Sequence, residues 1–449
     1  MRSFKILRIS HLAYPQALSA FLNKNKNFNY KSYNEQLTLF FNDKLVYGDS
    51  FSRAMNRIGH ECYEVVYDLE ITQKKWAFEN NIDYDNKNWV EEIVLSQIKY
   101  YKPEIIYFQH YPPLQFNIWS NLKNIFPSVK KIIVHRAFPG NFDTLHAVDL
   151  LLVGSKKLVE QYKEHNIKAN LVYHYFDETI INLSCINNNI KDISVSFLGS
   201  SGFGYGLNHA TRYWTLKELL EKIPSMRMWL EEPDEVKKDS LIYNFLNSKN
   251  YIDFKIISKK LITKSFTRLS YNQLNFISNT FIFPESIKKI TKEVINNRFT
   301  INKNRYILKS NLSNLKIPNN KLINLYPNKV SAPIFGLDYY NILSRSRISF
   351  NRHTDAANGD VGNIRMFQST GVGSCLLTDT GNNINDLFKE DTEILTYKTI
   401  DDAIDKINYL IQNPSLAEDI AKAGQKRTLL EHNAYNRCLQ INDLIQKII

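Results

Sequence analysis

The chain has 449 residues, 43% of them hydrophobic and 13% aromatic, so it is too long for one core and suits two domains. Its net charge of +12 favours anionic partners such as nucleotide phosphates, nucleic acid or an anionic membrane face, and a generally solvated basic surface explains it equally well. The four cysteines form no CxxC or Cys/His cluster, so neither a zinc site nor a disulfide framework is predicted, and no apolar run has the length of a membrane span. A reduced, cytoplasmic protein is the class that we expect.

Strands alternate with helices along the first part of the chain. Helices are predicted at residues 49–58, 89–101 and 118–126, and from Ser155 to about His165, because apolar residues recur there at helical spacing. Short buried strands are predicted between and around them, at residues 4–9, 62–67, 105–108, 131–134, 150–153 and 171–175. This alternation is typical of a doubly wound parallel sheet.

A polar stretch at residues 187–191 indicates a linker, and a second α/β unit follows it. We predict strands at 193–198, 322–326, 348–350, 374–378 and 393–397, and helices at 211–223, around 237–245 and 286–295, from Ile364 to Gly371, and at 384–388 and 401–411, with further helices to the end. The remainder of 231–318 is aromatic, basic and aperiodic. The predicted domains are therefore 1–186 and 187–432, with a helix at 433–449 that could cross back to the first domain.

Residues 347–379 form the most informative stretch. A buried strand ends at Asn351, Arg352 and His353, a loop with Gly359 and Gly362 follows, and a helix then leads to a second strand that ends at Asp379. Such crossover units bind ligands at the carboxyl ends of their strands. Free amides near Gly362 and Asn363, with Arg365 one turn into the helix and Arg352 nearby, would suit a diphosphate. An ordinary crossover whose glycines only permit tight packing is the alternative.

A set of motifs in this order resembles the C-terminal half of group-1-type glycosyltransferases, especially the CgeB-like branch. The matching pieces are Phe335-Gly336-Leu337, residues 348–353, Gly362-Asn363-Ile364-Arg365-Met366-Phe367, residues 370–379, Asn413-Pro414 and Arg437. The resemblance implies a GT-B fold, in which two Rossmann-like domains face a cleft. It also implies that the second domain holds a nucleotide-sugar donor, linked to UDP, GDP or dTDP, and that no cofactor or essential metal is needed.

The same resemblance implies roles for single residues. The family has two acidic residues near the donor sugar and ribose, and the corresponding positions are Asp360, which we assign to catalysis, and Gln368. The second is usually Glu, and a Gln amide accepts with one atom and must donate with the other, which leaves open an inactive homologue. We expect donor contacts from Asn351, Arg352, His353, Asp355, Gly362, Asn363, Arg365 and Gln368. Asp379 either contacts the donor or caps the helix that follows it.

Two further groups of residues are candidates. The loop GSSGFGYG, with Gly202, Gly204 and the following Arg212, would face the cleft near the diphosphate or acceptor, unless it is only a flexible turn. Transfer with inversion needs a base for the acceptor hydroxyl. His110 and His135, each placed just past a predicted strand, are the candidates for this base or for a sugar contact, and a structural role is the alternative for each.

The sequence therefore predicts a glycosyltransferase that moves a sugar from a nucleotide sugar to a saccharide or lipid-linked acceptor, in cell-surface polysaccharide or glycoconjugate synthesis. We expect it in the cytoplasm, and peripheral association with the anionic inner face of a membrane is left open. A catalytically silent GT-B scaffold protein and a nucleotide-sugar epimerase are the alternatives. Nucleic acid is not an expected partner, because the sequence contains no recognised binding module.

Overall fold

The computed structural model describes residues 2–12, 15–45, 48–136, 144–183, 186, 190–204, 207–233, 318–354 and 359–449. The helices predicted around 237–245 and 286–295 lie outside these residues, as does the predicted donor contact Asp355. Within the described part of the chain, no helix is both long and apolar enough to cross a membrane.

The first half of the chain forms a parallel sheet of six strands in the order β2-β1-β3-β4-β5-β6. The central strands are rich in Ile, Val and Leu, as expected for strands that helices cover on both faces. The strands are β1 (Lys5–Ser10), β2 (Glu61–Val66), β3 (Ile105–Gln109), β4 (Lys131–Arg136), β5 (Leu150–Val153) and β6 (Ala169–Leu171).

Eight helices flank this sheet in the described residues. Three of them, α1, α2 and α4, were not predicted, and the helix predicted at 118–126 is divided into α6 and α7 by a break at Ser120 and Asn121. The helices are α1 (Pro15–Lys24), α2 (Tyr33–Asn42), α3 (Ser50–Ile58), α4 (Glu70–Glu79), α5 (Trp89–Tyr101), α6 (Phe116–Trp119), α7 (Leu122–Ile125) and α8 (Lys156–Glu164).

The second half forms another parallel sheet of six strands, in the order β12-β11-β10-β7-β8-β9. Its strands are β7 (Ile193–Ser200), β8 (Met226–Glu231), β9 (Val330–Ser331), β10 (Ser346–Asn351), β11 (Cys375–Asp379) and β12 (Leu395–Tyr397). The described helices are α9 (Leu207–Lys222), α10 (Leu322–Leu325), α11 (Gly336–Arg345), α12 (Ile364–Gly371), α13 (Ile384–Leu387), α14 (Ile400–Gln412), α15 (Pro414–Glu431) and α16 (Ala434–Gln446). The predicted architecture of two doubly wound α/β units is confirmed.

Two predicted strands are wrong in type or position. Residues 322–326 were expected to form a strand, but they form the helix α10, because the Glu232 carboxylate accepts hydrogen bonds from the first two amides, Leu322 N (2.9 Å) and Ile323 N (3.0 Å). A short apolar run does not distinguish the two structures by itself. The strand expected at 171–175 ends at Leu171 as β6, and the chain after it leaves the sheet and crosses to the second half.

The last helix, α16, packs on the first half of the molecule. Its apolar residues Cys438, Ile441 and Ile445 are buried in the same cluster as Ile6 of β1 and Phe4, which precedes that strand. It lies against α3, so the chain crosses between the two halves once after β6 and again at about residue 433. These crossings meet each other where Phe176 N donates to His432 O at 2.8 Å.

Candidate functional site

A cavity of about 680 Å³ lies between the two halves of the molecule. The first half contributes Lys44 and Leu45, which follow α2. The second half contributes the ends of β7 and β8, the segment before and into α11, and one side of α12. A smaller cavity of about 430 Å³ adjoins it and shares Lys44, Leu45, Tyr340 and Ile364. The larger cavity thus lies at the carboxyl ends of parallel strands, where α/β proteins bind ligands.

Several cavity residues were not predicted from the sequence. Trp229, Phe335, Tyr339 and Tyr340 give the cavity an aromatic lining, and Glu231 lies at the end of β8. The signal that could have identified the tyrosines is their position in the helix that begins at the recognised Phe335-Gly336 motif. Trp229 lies on β8. Because this strand was not predicted, the position of Trp229 near a strand end could not be inferred from the sequence.

Gln368 lines this cavity, and both ends of its amide are engaged by tyrosines. The Tyr339 hydroxyl donates to Oε1 at 3.0 Å, and Nε2 donates to the Tyr340 hydroxyl at 3.0 Å. Gln368 is only 7% exposed. Because an amide both accepts and donates, it fixes the hydroxyl directions of two neighbouring tyrosines, whereas a carboxylate would accept from both.

Arg365 places a positive charge on the wall of the same cavity. Its Nη1 donates to Asn351 Oδ1 at 3.0 Å, and its guanidinium lies 4.8 Å from the centroid of the Phe197 ring. Gly199 makes room for it, since a Cβ at that position would lie 2.0 Å from Arg365 Nη2, and its φ of +144° also favours glycine. Asn351 and Asn363 donate to each other's side-chain oxygens at 3.3 and 3.1 Å.

The amides that were predicted to bind a diphosphate are hydrogen-bonded to His353 instead. Gly362 N and Asn363 N donate to His353 Nε2 at 3.0 and 3.2 Å, so Nε2 is the accepting nitrogen and the ring proton lies on Nδ1. Nδ1 donates in turn to Asp379 Oδ1 at 2.8 Å. A phosphate group could reach these two amides only after the His353 ring had moved away.

Asp379 fixes the position of His353 by accepting hydrogen bonds from its ring and its backbone. Besides the ring, the backbone N of His353 donates to both carboxylate oxygens, at 3.0 and 3.2 Å. Burial works to raise the pKa of Asp379, but the hydrogen bonds from His353 and the nearby Arg352 guanidinium outweigh it and hold that pKa well below its usual range. The following helix α13 begins later, at Ile384, so Asp379 does not cap it.

Asp360, expected at the donor sugar, points toward the other half of the molecule. Its Oδ2 accepts from Ser155 Oγ at 2.7 Å and from Lys157 N at 2.9 Å, both at the beginning of α8. It is 4% exposed. Asp360 therefore lies at the junction of the two halves and is not part of the cavity lining.

The helix that follows the glycine loop, α9, is hydrogen-bonded to the residue after β10. Arg212 Nη2 donates to Arg352 O at 2.9 Å. Gly202 has a φ of +91°, and a Cβ there would lie 2.3 Å from His209 O, so the loop needs glycine at this position. Gly204 also has a positive φ, of +79°. Arg212 thus ties the beginning of α9 to Arg352, and the position of the loop near the diphosphate or acceptor stays a prediction.

The two candidate bases are placed differently from each other. His110 directly follows β3, has a strained φ of +91°, and has a buried Nδ1 without a hydrogen-bond partner. Burial, with His11 and Arg136 nearby, lowers the pKa of His110 to about 4. His135 was expected just past a strand, but β4 continues to Arg136.

His135 is instead part of the core of the first half. It is 6% exposed, and its Nδ1 lies 2.7 Å from the Tyr107 hydroxyl. Burial lowers its pKa to about 3, with a further contribution from the neighbouring His174. The structure therefore brings Asn351, Arg352, His353, Gly362, Asn363, Arg365 and Asp379 together, with Gln368 one turn further along α12. Neither His110 nor His135 is among the residues that line the two cavities.

Comparisons with known proteins agree with the fold. Residues 301–443 match the family model described as glycosyl transferase-like. The whole chain also superposes on HepE from Anabaena in complex with UDP-glucose, at 9% identity over 99% of this chain and 100% of that one, with a TM-score of 0.50. A glycosyltransferase from Rickettsia africae gives 11% identity over 100% and 99% of the two chains, with a TM-score of 0.51.

The chain has the GT-B fold of glycosyltransferases. The predicted group-1-type resemblance is confirmed, and the narrower CgeB-like branch stays a prediction. No curated protein sequence matches the chain significantly. Among the residues that the structure describes, no group of three or more His, Cys, Asp or Glu is placed to hold a metal ion.

Proposed function

We propose that the protein transfers a hexosyl group from a nucleotide-sugar donor to an acceptor hydroxyl, and that the donor binds in the cavity between the two halves. The observation that carries this proposal is the combination of aromatic side chains and one arginine, Arg365, at the carboxyl ends of β7 and β8. Aromatic side chains such as Trp229 and Tyr339 suit a nucleobase and ribose, because they offer large flat surfaces and a polar edge. A guanidinium suits a diphosphate.

The leaving nucleoside diphosphate gains charge during transfer, and preorganised positive groups stabilise such charge most effectively in a cleft that excludes water. Arg365 supplies this charge directly, which supports a reaction without an essential metal. If His353 turns away on donor binding, the amides of Gly362 and Asn363 add two further donors.

His110 is the candidate for contact with the reacting sugar or acceptor. Its lowered pKa, about 4, keeps the imidazole neutral at physiological pH, so a ring nitrogen can accept a proton or a hydrogen bond. His135 is not retained as a candidate base, because it lies in the core, and Asp360 is not retained as a catalytic residue at the donor, because it is bonded to α8.

A UDP-linked hexose is the first donor to test, since HepE from Anabaena was solved with UDP-glucose. We propose a saccharide or lipid-linked acceptor, in cell-surface polysaccharide or glycoconjugate synthesis, at the inner face of a membrane. The net charge of +12 supports an anionic environment of this kind.

The test is a panel of UDP-, GDP- and dTDP-sugars, with nucleotide release measured with and without saccharide acceptors and binding measured by calorimetry. We expect release with one donor class, and at least tenfold weaker binding by Arg365→Met. Arg345→Met is the matched control, because Arg345 pairs with the exposed Asp192 away from the cavity. The absence of both binding and nucleotide release with every donor tested would refute the proposal.

A catalytically silent GT-B protein is the second candidate, and the Gln368 amide is the observation that favours it, because it replaces a carboxylate and is fully engaged by tyrosines. This candidate predicts donor binding with no release in the presence of any acceptor. Formation of an isomerised nucleotide sugar without acceptor would instead indicate an epimerase.

A further inference from the structure

The loop of residues 359–363, called here the anchored loop, is held to the second half of the molecule along its whole length. Asn382 N donates to Gly359 O at 3.0 Å. Val361 N donates to Asn383 Oδ1, and Asn383 Nδ2 donates back to Val361 O, both at 2.8 Å. The last two residues of the loop donate to His353, as described above. The backbone on either side of Asp360 is therefore fixed.

The Asp360 side chain is the part of this loop that leaves the second half. It reaches the first turn of α8, where helix amides lack partners within the helix and the helix dipole favours a negative charge. Ser155 is the N-cap of α8, since its Oγ accepts from Leu158 N at 3.4 Å while it donates to Asp360 at 2.7 Å. With Lys157 N at 2.9 Å, the carboxylate completes the cap from across the cleft.

A second contact between the halves lies beside the first and is more exposed. Asp386 Oδ2 accepts from the Tyr173 hydroxyl at 3.2 Å and lies 2.6 Å from Lys156 Nζ. The Lys156 and Asp386 side chains are 52% and 38% exposed, so water and salt screen this pair. The buried bonds of Asp360 are therefore the stronger connection at this junction.

We propose that Asp360 is a positioning residue that latches α8 onto the anchored loop and thereby sets the separation of the two walls of the cavity. The anchored loop leads directly into α12, which carries Arg365 and Gln368, while α8 belongs to the sheet of the first half. The latch gives Asp360 a role other than direct donor contact. This inference goes beyond the proposed function, because the role of Asp360 does not depend on which ligand the cavity binds.

The test compares Asp360→Ala, Ser155→Ala and the double variant without any ligand. Small-angle scattering reports the separation of the halves, and hydrogen exchange of a peptide covering residues 155–160 reports the amide of Lys157. We expect both single variants to shift the pair-distance distribution to longer distances and to speed exchange at Lys157 at least tenfold. The double variant should add little to the scattering change of Asp360→Ala, because both changes break the bond between Ser155 and Asp360.

Lys157→Ala is the matched control, because Asp360 accepts from the backbone of Lys157 and the side chain pairs with Glu160. It should keep the native scattering and exchange. Asp360→Asn keeps an accepting oxygen without the charge and should give an intermediate shift. If Asp360→Ala does not fold, Ser155→Ala and Asp360→Asn decide the question.

Native scattering and native exchange in Ser155→Ala and Asp360→Asn would overturn the latch. Loss of nucleotide release in Asp360→Ala with unchanged scattering would also overturn it, and would indicate direct donor contact. The scattering and exchange measurements are taken without donor, so a failure of the proposed transferase function leaves these two measurements intact.

Discussion

Substitution of His353 should separate two sets of hydrogen bonds that meet on one ring. His353→Asn keeps an N–H at the position of Nδ1 and can still donate to Asp379, but it has no atom to accept from the anchored loop. His353→Gln keeps an oxygen near the position of Nε2 and can accept from Gly362 N and Asn363 N, but it loses the bond to Asp379. His353→Ala loses both sets.

The expected magnitudes follow from the partners. A hydrogen bond to a charged group contributes roughly 1.5–3 kcal/mol and a neutral one roughly 0.5–1.5 kcal/mol. His353→Gln should therefore lower the free energy of unfolding by about 2 kcal/mol, and His353→Asn by about 1–3 kcal/mol for the two amides. His353→Ala should cost about 4 kcal/mol, a large share of the stability of an ordinary domain.

Urea unfolding followed by circular dichroism measures these differences, and hydrogen exchange of residues 359–363 measures the amides separately. We expect fast exchange in the Asn and Ala variants and slow exchange in the Gln variant. Equal stability of the native protein and all three variants would refute the assignment of Nε2 as acceptor. Slow exchange in His353→Asn would refute it as well.

Three further predictions concern the cavity and the core. Gly199→Ala puts a Cβ 2.0 Å from Arg365 Nη2, so it should weaken nucleotide binding at least tenfold in calorimetry, as Arg365→Met does, and unchanged affinity would contradict this. Gln368→Glu puts a carboxylate where burial is nearly complete, so we expect a stability loss of about 1–3 kcal/mol and no gain in turnover; turnover appearing in the variant alone would favour the silent protein. Burial lowers the pKa of His135 to about 3, so the unfolded state takes up the proton first as the pH falls below about 6.5. The stability from this residue is therefore present above about pH 6.5 and falls by about 1.4 kcal/mol per pH unit toward pH 3. His135→Gln should reduce the acid slope of the unfolding free energy by that amount between pH 6.5 and 4, and an unchanged slope would contradict it.

The sequence was most informative where apolar periodicity and end signals agreed. The helix Trp89–Tyr101 and the strand Leu150–Val153 were predicted with their observed bounds. By contrast, α4 (Glu70–Glu79) has apolar residues on no single face, and it is stabilised by the packing of Trp76 against Ile93 and Tyr33, which no local pattern reveals. For α2 a signal existed, since Ser32 and Glu35 form a capping box.

The candidate site was also predictable only in part from the sequence. The polar residues after β10 and the start of α12 were predicted from local sequence, because strand ends and glycine loops are local features. The hydrogen-bond partners across the site could not be predicted in this way. Asp360 bonds to a helix more than 200 positions earlier in the chain, at Ser155, and the amide of Gly362 goes to His353 because Asp379 fixes the ring from another strand.

The last helix, α16, imposes an order on the synthesis of this protein. The N-terminal core that contains Phe4 and Ile6 is closed by Cys438, Ile441 and Ile445. A ribosome therefore releases the first sheet long before the residues that cover it exist, and this face stays open until α16 has been synthesised. Completion of the first half must wait for the synthesis of α16, so a nascent chain stopped before Ala434 would expose an apolar face that chaperones recognise.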